Sequence, residues 1–175
     1  MQLLDYVKVY TSAIPSKECD NLVAKFDDSL TESHYSTTYR FKQINLNHHP
    51  NIFGQDVMYF LNIFNKLVDD YRKTLDIKYF PKTYGLEEFR IKKYSADDYF
   101  KEHVDVCDGQ TCKRFLSIFV YLNNGGGTKF LDKVVKSKKG TVVIFPPLWL
   151  FPHQGIVSGE KYFLSTYFHY VLPSL

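Results

Sequence analysis

The 175-residue sequence lacks long apolar runs: none approaches the roughly 18 residues that a membrane-spanning helix requires. Cysteine is scarce, with only Cys19, Cys107 and Cys112. Three thiols do not make the disulfide framework of a small secreted domain. Cys107 and Cys112 are close enough for a small loop bridge, but free thiols in a reducing compartment are the expectation. The first residues, MQLLDYVKVY, lack the basic region and apolar core of a signal peptide. Excess charge is missing too. The 22 Lys and Arg against 19 Asp and Glu leave a formal +3, with no continuous basic stripe. That gives no argument for nucleic acid, and it permits an acidic small molecule. Repeats, linkers and low-complexity stretches are also absent. These absences describe a soluble cytoplasmic protein with neither a nucleic-acid nor a membrane partner, and its length suits one domain over 1–175.

Aromatic residues are abundant. The chain has 14 Tyr, 15 Phe and 1 Trp, 17% of all residues, and such side chains suit a pleated, half-buried surface. Residues 4–10 alternate and read as a first strand. Ser16 is placed to cap a helix whose apolar stripe is Leu22, Val23 and Phe26. Residues 35–46 are β-prone. A longer helix fits 52–75, where Val57, Phe60, Leu61, Phe64, Val68 and Tyr71 recur at three- and four-residue steps as a core-facing stripe.

After Pro81 the pattern becomes one of short strands: 86–94, a short one near His103, 114–123, 128–131, 141–145 and 161–171. Asn124-Gly125-Gly126-Gly127 reads as a turn, and the Lys133, Lys136, Lys138, Lys139 cluster as a solvated loop. The chain thus divides into a helical part, about 1–80, and a β core, about 81–172. The class is α+β, a jelly roll buttressed by helices.

Within the β core, His103-Val104-Asp105 places an imidazole and a carboxylate on one side of an extended segment, because strand side chains repeat with period two. Forty-eight positions on comes His153, and eight further Lys161. Two imidazoles and one carboxylate can hold a ferrous ion and leave other positions open. A cation nearby suits the far carboxylate of an acidic co-substrate through a charge-assisted hydrogen bond, and a lysine in that role is expected at the pocket mouth or paired. Taken alone each piece is weak. His-x-Asp also occurs in polar loops, and a histidine among apolar neighbours is often simply a core residue. His34, His48 and His49 read as surface or loop residues, and His169 has only aromatic neighbours.

The ordered set is specific. It comprises Tyr94, Tyr99, His103-Val104-Asp105, Arg114, Tyr121-Leu122-Asn123, Gly126-Gly127-Thr128-Lys129-Phe130, Lys139-Gly140, Val143-Ile144-Phe145-Pro146, His153-x-Gly155 and Gly159-Glu160-Lys161-Tyr162. From about 86 to 170 the chain resembles the iron(II)- and 2-oxoglutarate-dependent dioxygenases of the prolyl 4-hydroxylase type. The resemblance implies a double-stranded β-helix with the N-terminal helices packed on its major sheet. It implies His103, Asp105 and His153 as iron ligands and Lys161 as the partner of the 2-oxoglutarate 5-carboxylate. Tyr94, Tyr121 and Thr128 would line or bond the co-substrate, and Arg114 and Tyr167 would lie near substrate.

Two departures stand out. Tyr167 occupies a position that is usually Trp, and the step from His153 to Lys161 is shorter than usual. The first 80 residues match no motif. The implied reaction couples oxidative decarboxylation of 2-oxoglutarate by O2 to hydroxylation of a C–H bond, with ascorbate as an accessory. Asp at the carboxylate position favours hydroxylation over halogenation. A prolyl residue in a peptide or protein is the first expectation for substrate. A free amino acid or other small molecule under the same chemistry is the second. A non-catalytic metal-binding β-helix protein is the third, and the mild charge argues against a nucleic-acid demethylase.

Overall fold

The structure, a computed structural model, describes residues 2–171. Its strands are β1 (Lys8–Tyr10), β2 (Glu32–Tyr35), β3 (Tyr39–Asn45), β4 (Tyr84–Leu86), β5 (Arg90–Tyr94), β6 (Tyr99–His103), β7 (Arg114–Tyr121), β8 (Gly126–Phe130), β9 (Lys133–Lys136), β10 (Val142–Phe145), β11 (His153–Val157) and β12 (Lys161–Tyr170). Two α-helices, α1 (Ser16–Ala24) and α2 (Pro50–Thr74), precede the run from β4 onward.

The strands pair antiparallel in the order β1-β10-β7-β12-β5-β3-β6-β11-β8-β9, with β2 added to β3 and β4 to β12. Strand β3 is the fold line. Its residues Lys42 to Asn45 pair with β5, while Tyr39 and Arg40 pair with β6. The ribbon therefore turns over into two halves, β10-β7-β12-β5 and β6-β11-β8-β9, and makes a nearly closed jelly roll.

Strand alternation builds two cores from one sheet. On β7, Leu116, Ile118 and Val120 enter a cluster with Phe53, Phe60, Phe64, Val68 and Tyr71 of α2, whereas Phe119 and Tyr121 enter a second cluster with Phe130, Val143, Phe145 and Phe151. Strand β10 splits the same way, with Val142 and Ile144 in the first cluster and Val143 and Phe145 in the second. Helix α2 begins on Pro50, which has no N–H to lose at a first helical position. No helix among the described residues is long and apolar enough to cross a membrane.

Several sequence expectations shift. Residues 3–6 form a 3-10 turn rather than the start of a strand, because the Gln2 amide donates to the Asp5 carboxylate at 2.7 Å and closes the chain locally. Ser16 is the first helical residue rather than the cap; Pro15 stands at the cap position without a side-chain bond. The strand expected over 86–94 is interrupted and becomes β4 and β5. The expected glycine turn is shorter: Asn124 and Gly125 precede the strand, with a bend at Gly125, whereas Gly126 and Gly127 already belong to β8. Gly126 has φ 112°, and a Cβ there would meet the Ile156 carbonyl at 2.1 Å, so glycine lets β8 lie close to β11. Lys133 to Lys136, read as loop, form β9, with Val135 buried inward and Lys133 Nζ donating to the Val7 carbonyl at 3.0 Å. His34 lies on β2 with its ring stacked on Phe41 at 5.1 Å, not in a loop.

Candidate active site

His103 ends β6 and His153 opens β11, and the two residues are direct cross-strand partners. Asp105 follows β6 by two residues. Potential ligand atoms of the three lie within 4.8 Å of one another. The Asp105 carboxylate stands 3.5 Å from His103 Nε2 and 3.6 Å from His153 Nε2.

The orientation of both rings is set from behind. His103 Nδ1 lies 2.8 Å from the Lys101 carbonyl, and His153 Nδ1 lies 3.1 Å from the Phe151 carbonyl. A carbonyl only accepts, so each Nδ1 carries a hydrogen and each Nε2 is the ring atom left to face Asp105 and a metal. A carbonyl behind the ring in this way fixes which nitrogen a metal would meet. Phe100 clamps His103 further, its ring 3.5 Å from the imidazole and within 3° of parallel.

Burial pushes the His153 imidazole toward the neutral form and so favours a free lone pair. Burial would raise the Asp105 carboxyl, but the neighbouring histidines and Lys92 outweigh it and hold the group at about 2. One anionic oxygen donor and two imidazole nitrogen donors, with room on the remaining side, form a donor set that fits Fe(II).

The pocket in front of the triad is lined by one face of β5 and β12 together with residues of the opposing half. Lys161 pairs with Tyr94 across β12 and β5. It is not at a pocket mouth, and among the described residues it has no carboxylate partner. It is 2% exposed, and its ammonium donates to the backbone carbonyls of Gly127 and Ile156. Two carbonyl dipoles make that burial tolerable without neutralising the charge, and burial lowers its pKa to about 7. The Tyr94, Tyr121 and Phe163 rings stand 5.8, 5.5 and 5.6 Å from Lys161 Nζ. The Tyr121 hydroxyl donates to Thr128 Oγ1 at 2.8 Å. Gly155 leaves this end open, since a Cβ there would point at Phe100 and come within 3.9 Å of Lys161 Nζ.

Arg114 and Tyr167 are stacked, the guanidinium carbon 4.0 Å from the ring centre. Burial and the nearby Asp105 carboxylate push the Tyr167 hydroxyl well up. Arg114, however, is fully engaged. It grips Glu87 through Nε and Nη2 at 2.6 and 2.9 Å and gives Nη1 to the Asp105 carbonyl at 3.0 Å.

Of the nine residues to which the resemblance gives roles, seven line this pocket, while Tyr121 stands behind Thr128 and Arg114 against Tyr167. Sequence reasoning gave no role to Lys92, Phe100, Ser117, Phe119, Phe163 and Ser165 in the pocket, or to Glu87 behind it. Period two was the available signal for two of them. Once Tyr94 faces the site, Lys92 must, and once Lys161 does, Phe163 must. Cys107 and Cys112, exposed beside this region, are free thiols, as is the buried Cys19.

Residues 89–169 match the family model described as the 2OG-Fe(II) oxygenase superfamily. Solved structures share the fold. The viral collagen prolyl hydroxylase of Paramecium Bursaria Chlorella virus-1, in complex with 2OG, is 23% identical with a TM-score of 0.63, over 95% of this chain and 97% of that one. A prolyl-4-hydroxylase of Pseudomonas putida is 18% identical with a TM-score of 0.69, over 97% and 98%. A Trichoplax adhaerens prolyl hydroxylase, solved with a hypoxia inducible factor oxygen degradation domain peptide fragment, is 12% identical with a TM-score of 0.66, over 95% and 85%. No curated protein sequence matches.

Proposed function

We propose, from the premise that this chain carries a 2OG-Fe(II) oxygenase superfamily core over residues 89–169, that it hydroxylates a C–H bond of a prolyl residue in a peptide or protein. The observation that carries the reading is the convergence of His103, Asp105 and His153 within 4.8 Å, each imidazole turned Nε2-inward by a backbone carbonyl, in one pocket with a buried Lys161. When bound, Fe(II) with 2-oxoglutarate and O2 supplies the oxidising power: one oxygen atom enters the C–H bond and the other ends in succinate, with release of CO2.

The remaining work belongs to the chain. His103, Asp105 and His153 would hold the metal on one face. Lys161 would take the distal carboxylate of 2-oxoglutarate, with the Thr128 hydroxyl, itself oriented by Tyr121, as a second donor and Tyr94 as the opposite wall. Phe100, Phe119, Phe145 and Phe163 exclude water from the reacting centre. Tyr167 and the Arg114–Glu87 pair fix the loop that presents Asp105. The N-terminal helices buttress the major sheet from its other face and keep the strands that carry these groups rigid. Prolyl hydroxylase folds of similar size, one of them solved with a peptide, support the substrate class. Ascorbate would serve as an accessory reductant.

The test is succinate formation that requires both Fe(II) and 2-oxoglutarate, followed by a mass-spectrometric screen for gain of one oxygen atom on proline-containing peptides and free amino acids. Succinate formation lost in His103→Ala supports the oxygenase reading. Turnover that survives Asp105→Ala overturns it. Oxygen gain on free amino acids alone removes the peptidyl substrate.

A further inference from the structure

Lys92 is the pocket residue whose charge the reaction above does not use. It sits at the centre of β5, two residues from Tyr94 and directly across from Phe163 of β12. Two residues of strand carry it about 6.8 Å from Tyr94, away from the Lys161 end and toward the triad. Its ammonium lies within a cage of three rings, 5.1 Å from Phe41, 5.9 Å from Phe100 and 5.6 Å from Phe163. Phe100 is the ring stacked on His103, which places Lys92 beside the metal-binding end. Among the described residues Lys92 Nζ has no hydrogen-bond or ion-pair partner, and burial lowers its pKa to about 8.

The other cations on this side are taken. Arg114 is locked bidentate on Glu87, and Arg90 is bonded to Glu88 at 2.6 Å. Each of those pairs is neutral. The pocket charges that remain are Asp105, the buried Lys161 and the half-buried Lys92. A divalent metal and the doubly charged 2-oxoglutarate cancel each other, and Asp105 cancels one lysine. Lys161 is matched by the distal carboxylate, and the proximal carboxylate meets the metal itself. Lys92 is left as one uncompensated positive charge, half-buried among aromatic rings, where an unpaired charge is less well hydrated than on the open surface. Either something anionic enters with the substrate, or the charge is carried without use.

We infer that Lys92 is a substrate-selecting cation that pairs with a carboxylate on the substrate close to the C–H bond to be hydroxylated. The reacting unit is then an amino- or imino-acid unit with its own free carboxylate, at the C-terminus of a peptide or as a free molecule, rather than a residue in mid-chain flanked by neutral amides. The inference rests on the oxygenase reading and narrows its substrate class. Aromatic rings around the ammonium restrain it without neutralising it, and one carboxylate would replace the missing acceptor.

The test measures binding in Mn(II)-loaded protein with 2-oxoglutarate under exclusion of oxygen, by the paramagnetic broadening of probe resonances. Probes come in pairs that differ only in charge: N-acetyl-L-proline and its amide, L-proline and prolinamide, and a short peptide ending in proline with a free or an amidated C-terminus. The expected result is that at least one carboxylate binds ten-fold or more tightly than its amide to the wild type. The preference falls below two-fold in Lys92→Met and is kept in Lys92→Arg. The pair that responds tells free from peptide-borne carboxylate.

Equal binding of every pair, no binding of any carboxylate, or a preference that survives Lys92→Met would overturn the inference. So would a loss of 2-oxoglutarate affinity beyond ten-fold in Lys92→Met, which would assign Lys92 to the co-substrate. A structural role makes a separate forecast. If the cage exists to hold the fold, Lys92→Met lowers the melting temperature of the metal-free protein; on the present inference it raises it. Failure of the oxygenase reading is distinguishable, since it appears as absence of metal-dependent 2-oxoglutarate binding in the wild type.

Discussion

Arg114 holds the backbone of Asp105, its Nη1 donating to the Asp105 carbonyl at 3.0 Å. The carboxylate that completes the triad lies beyond the end of β6, outside the strand ladder, so its position depends on this bond and on the Glu87 clamp behind it. Arg114→Met should weaken metal binding about 10-fold or more, the usual scale for outer-shell partners. It should also destabilise the fold by about 1–3 kcal/mol, below the range for fully buried pairs because both side chains keep some solvent contact. Arg114→Lys should rescue little, since a single ammonium cannot reproduce a three-point grip. Metal titration and denaturant unfolding read the two effects separately.

The triad itself predicts a sharper outcome. His103→Ala or Asp105→Ala should reduce Fe(II)- and 2-oxoglutarate-dependent succinate formation below detection. Phe100→Leu, which removes only the ring stacked at 3.5 Å on His103, should leave the fold intact and weaken metal affinity about ten-fold. An unchanged affinity in Phe100→Leu would mean that the Lys101 carbonyl alone suffices to orient the imidazole.

Lys161 predicts two pH dependences. Burial holds its pKa at about 7 in the folded protein, against about 10.4 in an unfolded chain. Between those values the unfolded chain holds a proton that the folded one releases, so stability of the empty protein should rise with pH across that window. Below about pH 7 the full cost of the buried ammonium is present. Thermal unfolding of the metal-free protein from pH 6 upward checks the direction, and Lys161→Met should be more stable and flatter. Co-substrate binding runs the other way. The carboxylate requires the ammonium form, so 2-oxoglutarate affinity should fall as pH rises above about 7, in calorimetry on the Mn(II)-loaded protein. Lys161→Arg should abolish that slope, while Lys161→Ala should weaken binding throughout.

Thr128 receives the Tyr121 hydroxyl proton at 2.8 Å, which leaves its own hydroxyl hydrogen free to point into the pocket. Thr128→Val should weaken 2-oxoglutarate binding by about 1.5–3 kcal/mol, the loss of one hydrogen bond to a charged acceptor. Tyr121→Phe should cost less, since it removes only the orienting partner. Equal effects of the two would argue for a direct Tyr121 contact with the carboxylate.

The triad and Lys161 were legible in the chain because their order along it survives any uncertainty in strand boundaries. The long helix was legible because Phe60, Phe64, Val68 and Tyr71 repeat at helical spacing and all are buried. Lys92 was hidden by Lys93 beside it: a Lys-Lys pair looks like a solvated surface, yet the pleat sends one residue inward and the other toward Glu160. Strand β9 was hidden in the same way, by lysines that flank its single buried Val135. The depth of Lys161 could not be read at all. Its acceptors are the carbonyls of Gly127 and Ile156, backbone groups that carry no residue identity. The early strand survives only as Lys8–Tyr10; its first half is lost because the Gln2 amide bonds to Asp5, a three-residue contact that alternation does not register.

The two pocket lysines have a consequence for the lifetime of the protein. Empty, the pocket holds two ammonium groups against the single Asp105 carboxylate, and opening fluctuations that wet them are favoured. Filled, it is closed by its own ligands, and a ligand at a hundred times its dissociation constant adds about 2.7 kcal/mol of stability. Resistance to proteolysis should therefore track the supply of 2-oxoglutarate and of the second anion. On the proposed function, abundance of the protein would then follow the metabolic state that feeds it.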